Sequence, residues 1–135
     1  MKLISELKFL GKDKQFKQCL NKKEQKEFDW YLTFDEHAHK LIKKIIDFIK
    51  TDKFGEAYSN LPEIEKVFSK ESLFLGKMRI CAKNHGMKKE EKLLINAMRR
   101  SQKVLEIFRK TGSYLGKGKK EKALYEFEKI LKLLG

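Results

Sequence analysis

The sequence predicts an all-α protein of about six helices in an antiparallel array, either repeat-like or an irregular helical bundle. Three observations carry that expectation. Apolar residues recur at helical spacing almost throughout. No segment alternates with period two long enough to read as a strand. One proline and eight glycines in 135 residues leave few of the residues that β-turns need.

The elements follow from the apolar stripes and the breaks between them. Gly11 with Asp13 ends a short first helix, and Asn21 precedes a long one that ends near Thr51 and Asp52. Leu41, Ile42, Ile45, Ile46, Phe48 and Ile49 form its stripe. Ser69 to Ser72 reads as a break between two further helices. After it, Leu73, Phe74, Met78, Cys81 and Ala82 make a second stripe. Asn84-His85-Gly86 reads as a C-terminal cap with Gly86 left-handed. Leu94, Ala97, Met98, Val104, Leu105 and Phe108 make a third stripe. Gly112, Gly116 and Gly118 then loosen the chain before a last helix over 119–134, striped by Leu124, Phe127, Ile130, Leu131 and Leu134.

The length fits one helical domain over 1–135, and about two-thirds of the unfolded surface of such a chain is buried on folding. A core of that size needs neither a disulfide nor a metal. Cys19 and Cys81 form no Cys-x-x-Cys pair, and the three histidines do not supply zinc-ligand spacing around them. Both cysteines are expected to be small buried hydrophobes in a reducing compartment. No apolar run approaches a membrane span, and Met1-Lys2-Leu3-Ile4 meets Glu6 and Lys8 too soon for a signal peptide. The expectation is a cytoplasmic protein with no membrane partner.

Charge is the strongest functional signal. The net charge is +13, and it is unevenly spread. Residues 77–122 hold fifteen Lys or Arg against four acids, whereas residues 27–76 hold seven against ten. The candidate binding surface is Lys88, Lys89, Lys92, Arg99, Arg100, Lys103, Lys117, Lys119, Lys120 and Lys122. A stripe of this kind is the electrostatic footprint of a polyanion partner. A Lys-rich face that serves only solubility is the competing account, but a merely compositional bias would be spread evenly.

Three segments also line up with one another: residues 51–57, 85–91 and 117–123. Their turn positions Asp52, Gly86 and Gly118 recur at a period close to one tetratricopeptide repeat. Over about residues 38–134 the chain resembles that family. Tyr114, Gly118, Ala123, Phe127 and Ile130 fall at its spacing of aromatic, turn glycine, small residue, aromatic and apolar residue. Phe48, Phe54, Ala57, Leu61 and Ile64 match in the first unit. Glu91 departs from the pattern where the middle unit should have a small residue, and Pro62 should kink or split a helix. The resemblance implies a concave groove for a peptide.

Candidates for chemistry are few. Glu36 and His39 have the Glu-x-x-His spacing of di-iron bundles, without a second copy. Arg79 and His85 resemble the Arg-polar-x-His motif of the HEPN helical ribonucleases, with Ile80 at the usually polar position. Gly116-Lys117-Gly118-Lys119-Lys120 lacks the spacing of a phosphate-binding loop. Phe28, Trp30, Tyr31 and Phe34 read as core aromatics. The sequence therefore points to a non-enzymatic adaptor, without metal or cofactor, that engages an acidic protein or peptide. A nucleic-acid-binding subunit of a ribonucleoprotein and a HEPN-like ribonuclease are the alternatives.

Overall fold

The computed structural model describes residues 2–135; Met1, which opens the segment weighed as a signal peptide, lies outside them. The described residues form seven α-helices and no strand: α1 (Leu3–Lys12), α2 (Lys14–Gln18), α3 (Lys22–Lys50), α4 (Phe54–Ser59), α5 (Leu61–Asn84), α6 (Lys88–Gly116) and α7 (Lys120–Leu134). The fold is all-α. The count exceeds six because α2 is a separate element, and the two helices expected on either side of Ser69 to Ser72 are instead α4 and α5.

Local chemistry sets the boundaries. The Asp13 carboxylate accepts hydrogen bonds from the backbone N–H groups of Gln15 and Phe16, which starts α2 directly after α1. Gly11 lies inside α1, where an added Cβ would press the Phe28 ring at 3.3 Å. A reciprocal cap opens α3: Glu24 N–H donates to the Asn21 side chain at 2.8 Å, and Asn21 N–H donates to the Glu24 carboxylate at 3.1 Å. Pro62 splits the chain into α4 and α5, because at the first turn of α5 its missing N–H leaves no bond unmade.

Three turns share one geometry. Lys53 N–H closes on Phe48 C=O, Met87 N–H on Ala82 C=O and Lys119 N–H on Tyr114 C=O, at 2.8, 2.9 and 2.8 Å. The left-handed residues are Asp52, Gly86 and Gly118, with φ of 61°, 68° and 67°. Each closure returns an otherwise unpaired helical carbonyl to a partner.

Two sequence expectations are corrected. Ser69 to Ser72 does not break the chain; α5 runs through it. None of the four residues lacks an N–H or favours the left-handed region, and Glu71 and Ser72 turn inward. Gly112 and Gly116 belong to α6, so the final turn is confined to 117–119. With α5 unbroken, its buried face runs through Phe68, Leu75, Met78 and Ala82, and Leu73 is left 76 % exposed.

The core is organised around α6, which packs against α5, α7 and α1, while α3 packs against α7, α4 and α1. A file of rings crosses four helices: Phe34 to Phe68 at 5.6 Å, Phe68 to Phe108 at 6.1 Å and Phe108 to Phe127 at 6.0 Å. Ala57, Ala82, Ala97 and Ala123 are fully buried in the same core. Glu6 of α1, only 1 % exposed, forms an ion pair with Arg100 of α6.

Ala123→Leu is expected to overpack the contact of α7 with its neighbours and cost about 1–3 kcal/mol, read as a lower midpoint in thermal or denaturant unfolding. Arg100→Ala leaves the Glu6 carboxylate buried without its partner. A loss of about 2–3 kcal/mol is expected in the same measurement, on the low side for a buried pair because Arg100 is partly solvated. Arg100→Ala together with Glu6→Gln should recover part of it.

Candidate polyanion-binding face

The 29 residues of α6 make a rod of about 43 Å. Its buried side is built from Leu94, Ala97, Ser101, Val104, Phe108 and Leu115. Lys88, Lys92, Arg99, Lys103, Lys110 and the C-cap Lys117 lie on the opposite side and are all exposed. At about 3.6 residues per turn these six fall within roughly 60° of arc. The same amphipathic period that buries one side of α6 therefore lines its cations in a row. Glu106 lies on this side and pairs with Lys103 at 3.5 Å.

The ten residues singled out in the sequence do not all join this row. Lys89 turns to the Phe9 ring, with Nζ 4.8 Å from its centroid. Arg100 is committed to Glu6. The Lys120 ammonium donates to the Lys50 carbonyl at 3.1 Å and to Asp52 at 3.0 Å. Lys122 lies 5.9 Å from the Tyr114 ring. Lys119 is exposed in the turn after the row. Lys110 belongs to the row although it was not among the ten. Its signal was the seven-residue spacing from Lys103 and to Lys117.

Other candidates separate in space. The Glu36 carboxylate pairs with Lys8 at 3.5 Å. His39 has its pKa lowered by burial, then by Lys43 and Lys2, so its surroundings disfavour a cation. Arg79 and His85, six positions apart, stand about 120° apart around a helix. Trp30 is corrected from core to surface: it is 55 % exposed and stacks on Phe34 at 5.6 Å over the gap between α3 and α5. That gap holds about 400 Å³ between Phe34, His37 and Leu41 on one wall and Ile64 and Val67 on the other.

The cysteines also depart from expectation. They are half-buried rather than core residues, and they form a disulfide, with Cα atoms 6.3 Å apart. His85 Nδ1 lies 3.8 Å from Cys19 Sγ and 3.9 Å from Cys81 Sγ. Cys81 and His85 are one helical turn apart, whereas Cys19 arrives from α2.

Asp35 of α3 and Glu71 of α5 are fully buried, and among the described residues neither carboxyl group has a hydrogen-bond donor other than the opposing carboxyl. Burial raises the Asp35 pKa to about 7. Glu71 is raised well above the usual range, first by burial and then by the Asp35 charge. The two groups face each other, so a proton held by one can be accepted by the other. Tyr31 is raised by burial and by Glu27 and Glu71.

No family model, curated protein or solved structure was found to match this chain. No helix of the described residues is long and apolar enough to cross a membrane.

The buried pair sets a sign for stability against pH. The folded chain keeps protons that the unfolded chain releases above its ordinary carboxyl pKa. Stability should therefore be highest below pH of about 4 for this pair and fall as pH rises to about 7, at up to about 1.4 kcal/mol per pH unit for each proton retained. Chemical denaturation of wild type and of Asp35→Asn/Glu71→Gln at pH 4, 5.5 and 7 checks this. The double variant should lose the decline.

Proposed function

We propose that this chain is a non-enzymatic binding protein that engages an acidic macromolecule along the exposed side of α6. The observation that carries the reading is the row of Lys88, Lys92, Arg99, Lys103, Lys110 and Lys117 on one side of an unbroken helix. Cations spaced along about 43 Å suit a partner whose negative charge is also extended. Among acidic partners, a nucleic-acid backbone fits this row better than a folded acidic protein. Protein interfaces centre on large apolar or aromatic anchors, and no aromatic residue stands within the row. Phosphate contacts from Lys and Arg need no such anchor and carry little sequence preference.

We also propose a tetratricopeptide-like origin for the array. The three equivalent turns at Asp52, Gly86 and Gly118 support it. The unbroken α5 and α6 put one long helix where a repeat of that family has two. A cytoplasmic location is likewise proposed from composition, and in such a compartment Cys19 and Cys81 would be kept reduced.

The test changes cations whose side chains make no hydrogen bond or ion pair among the described residues. Arg99→Ala/Lys110→Ala/Lys117→Ala should fold as wild type does, whereas a variant that includes Arg100 would confuse binding with stability. Affinity for single-stranded RNA and duplex DNA is measured across a salt series. Wild type should bind with a steep salt dependence, and the triple variant should bind more weakly with a slope shallower by up to about 3. Wild type that ignores both nucleic acids at low salt would overturn the nucleic-acid form of the proposal. An unchanged slope in the variant would remove α6 as the contact face.

A further inference from the structure

Cys19, Cys81 and His85 come from two separate helix ends, yet their ligand atoms all lie within 4.8 Å of one another. We propose that the reduced protein binds a soft divalent cation, with zinc as the type, through Cys19 Sγ, Cys81 Sγ and His85 Nδ1, and that formation of the Cys19–Cys81 disulfide abolishes the site.

The geometry already approaches that of a metal centre. Zinc–sulfur and zinc–nitrogen bonds of about 2.3 and 2.0 Å in a tetrahedron place sulfur and nitrogen about 3.5 Å apart. His85 Nδ1 stands 3.8 and 3.9 Å from the two sulfurs, nearly equidistant. The sulfurs themselves must move apart to about 3.8 Å, which side-chain rotation can supply.

The frame that presents the ligands does not depend on the disulfide. Cys19 caps α2, its N–H bonded to Phe16 C=O at 2.9 Å, and Phe16 is fully buried against Phe28 at 5.6 Å. Cys81 and His85 sit on the last turn of α5, one turn apart on one side of the helix. His85 Nδ1 is now 2.9 Å from the Cys81 carbonyl, to which its proton is donated. A cation would take the place of that proton. The half-buried sulfurs and the exposed imidazole leave a path for the ion and a fourth position open to water. The carbonyls that end α5 favour positive charge there.

The two states exchange with balanced chemistry. A dithiol reductant gives two electrons and two protons to the sulfurs, the Cys19–Cys81 bond breaks, and the dithiol becomes a disulfide. The cation then forms two bonds to sulfur and one to Nδ1; the Nδ1 proton moves to Nε2, and the two thiol protons are released to water.

The experiment uses the full chain, reduced with excess dithiol, freed of it under argon by gel filtration, and titrated with zinc. Bound metal is measured by elemental analysis after a second gel filtration. Cobalt(II) serves as a spectroscopic probe of sulfur ligation. Reduced wild type should retain one equivalent of zinc and the oxidised protein none. His85→Ala, a change at an exposed position, should keep its circular dichroism and bind at least about 10-fold more weakly. The proposal is overturned if reduced wild type retains no zinc at micromolar concentrations, if the oxidised protein binds equally, or if His85→Ala binds with unchanged affinity.

Discussion

The file of rings from Phe34 through Phe68 and Phe108 to Phe127 is the contact on which the arrangement depends. It is one continuous apolar connection that passes through α3, α5, α6 and α7. Offset and edge-on ring contacts add to the area they bury, and their geometry restricts how neighbouring helices can rotate. The buried alanines complement this constraint, because close helix approach beside large rings requires small side chains. Where the rings hold α3 and α5 at a distance, the surface opens into the gap beneath Trp30.

Rotation of α6 decides which of its residues meet solvent. Phe108 faces the rings and Arg100 is fixed on Glu6, so the side of α6 that meets solvent is decided from within. The cationic row is thus the outward image of a well-specified core. Lys120 and Asp52 tie the start of α7 to the end of α3, which fixes the far end of the row relative to the rest of the molecule.

Much of the architecture was legible because α3, α6 and α7 carry long stripes of helical period with chemically distinct ends. Ser69 to Ser72 was misread because a polar cluster resembles a turn when the inward direction of Glu71 and Ser72 is unknown. Leu73 was misassigned for the same reason. The row on α6 was visible as a local excess of cations, but Lys110 stood apart from the dense clusters and needed the helix to bring it into line. The meeting of Cys19 with Cys81 could not be read from spacing, since 62 residues separate them and only the packing of α2 joins them. Half of that site was visible: Cys81 and His85 are at i and i+4. Asp35 and Glu71 fall on buried faces that only the folded helices define, beside Ala38 and Ile42 on α3 and Phe68 and Leu75 on α5.

The enclosed carboxyl pair makes the folding of this chain a proton-uptake reaction near neutrality. Unfolding at pH 7 should hand protons to the surrounding buffer. The heat measured in a calorimeter would then include the ionisation enthalpy of the buffer, so that phosphate and amine buffers at one pH report different unfolding enthalpies for the same molecule. The interior of this highly cationic protein thus exchanges charge with its medium only when the helices come apart.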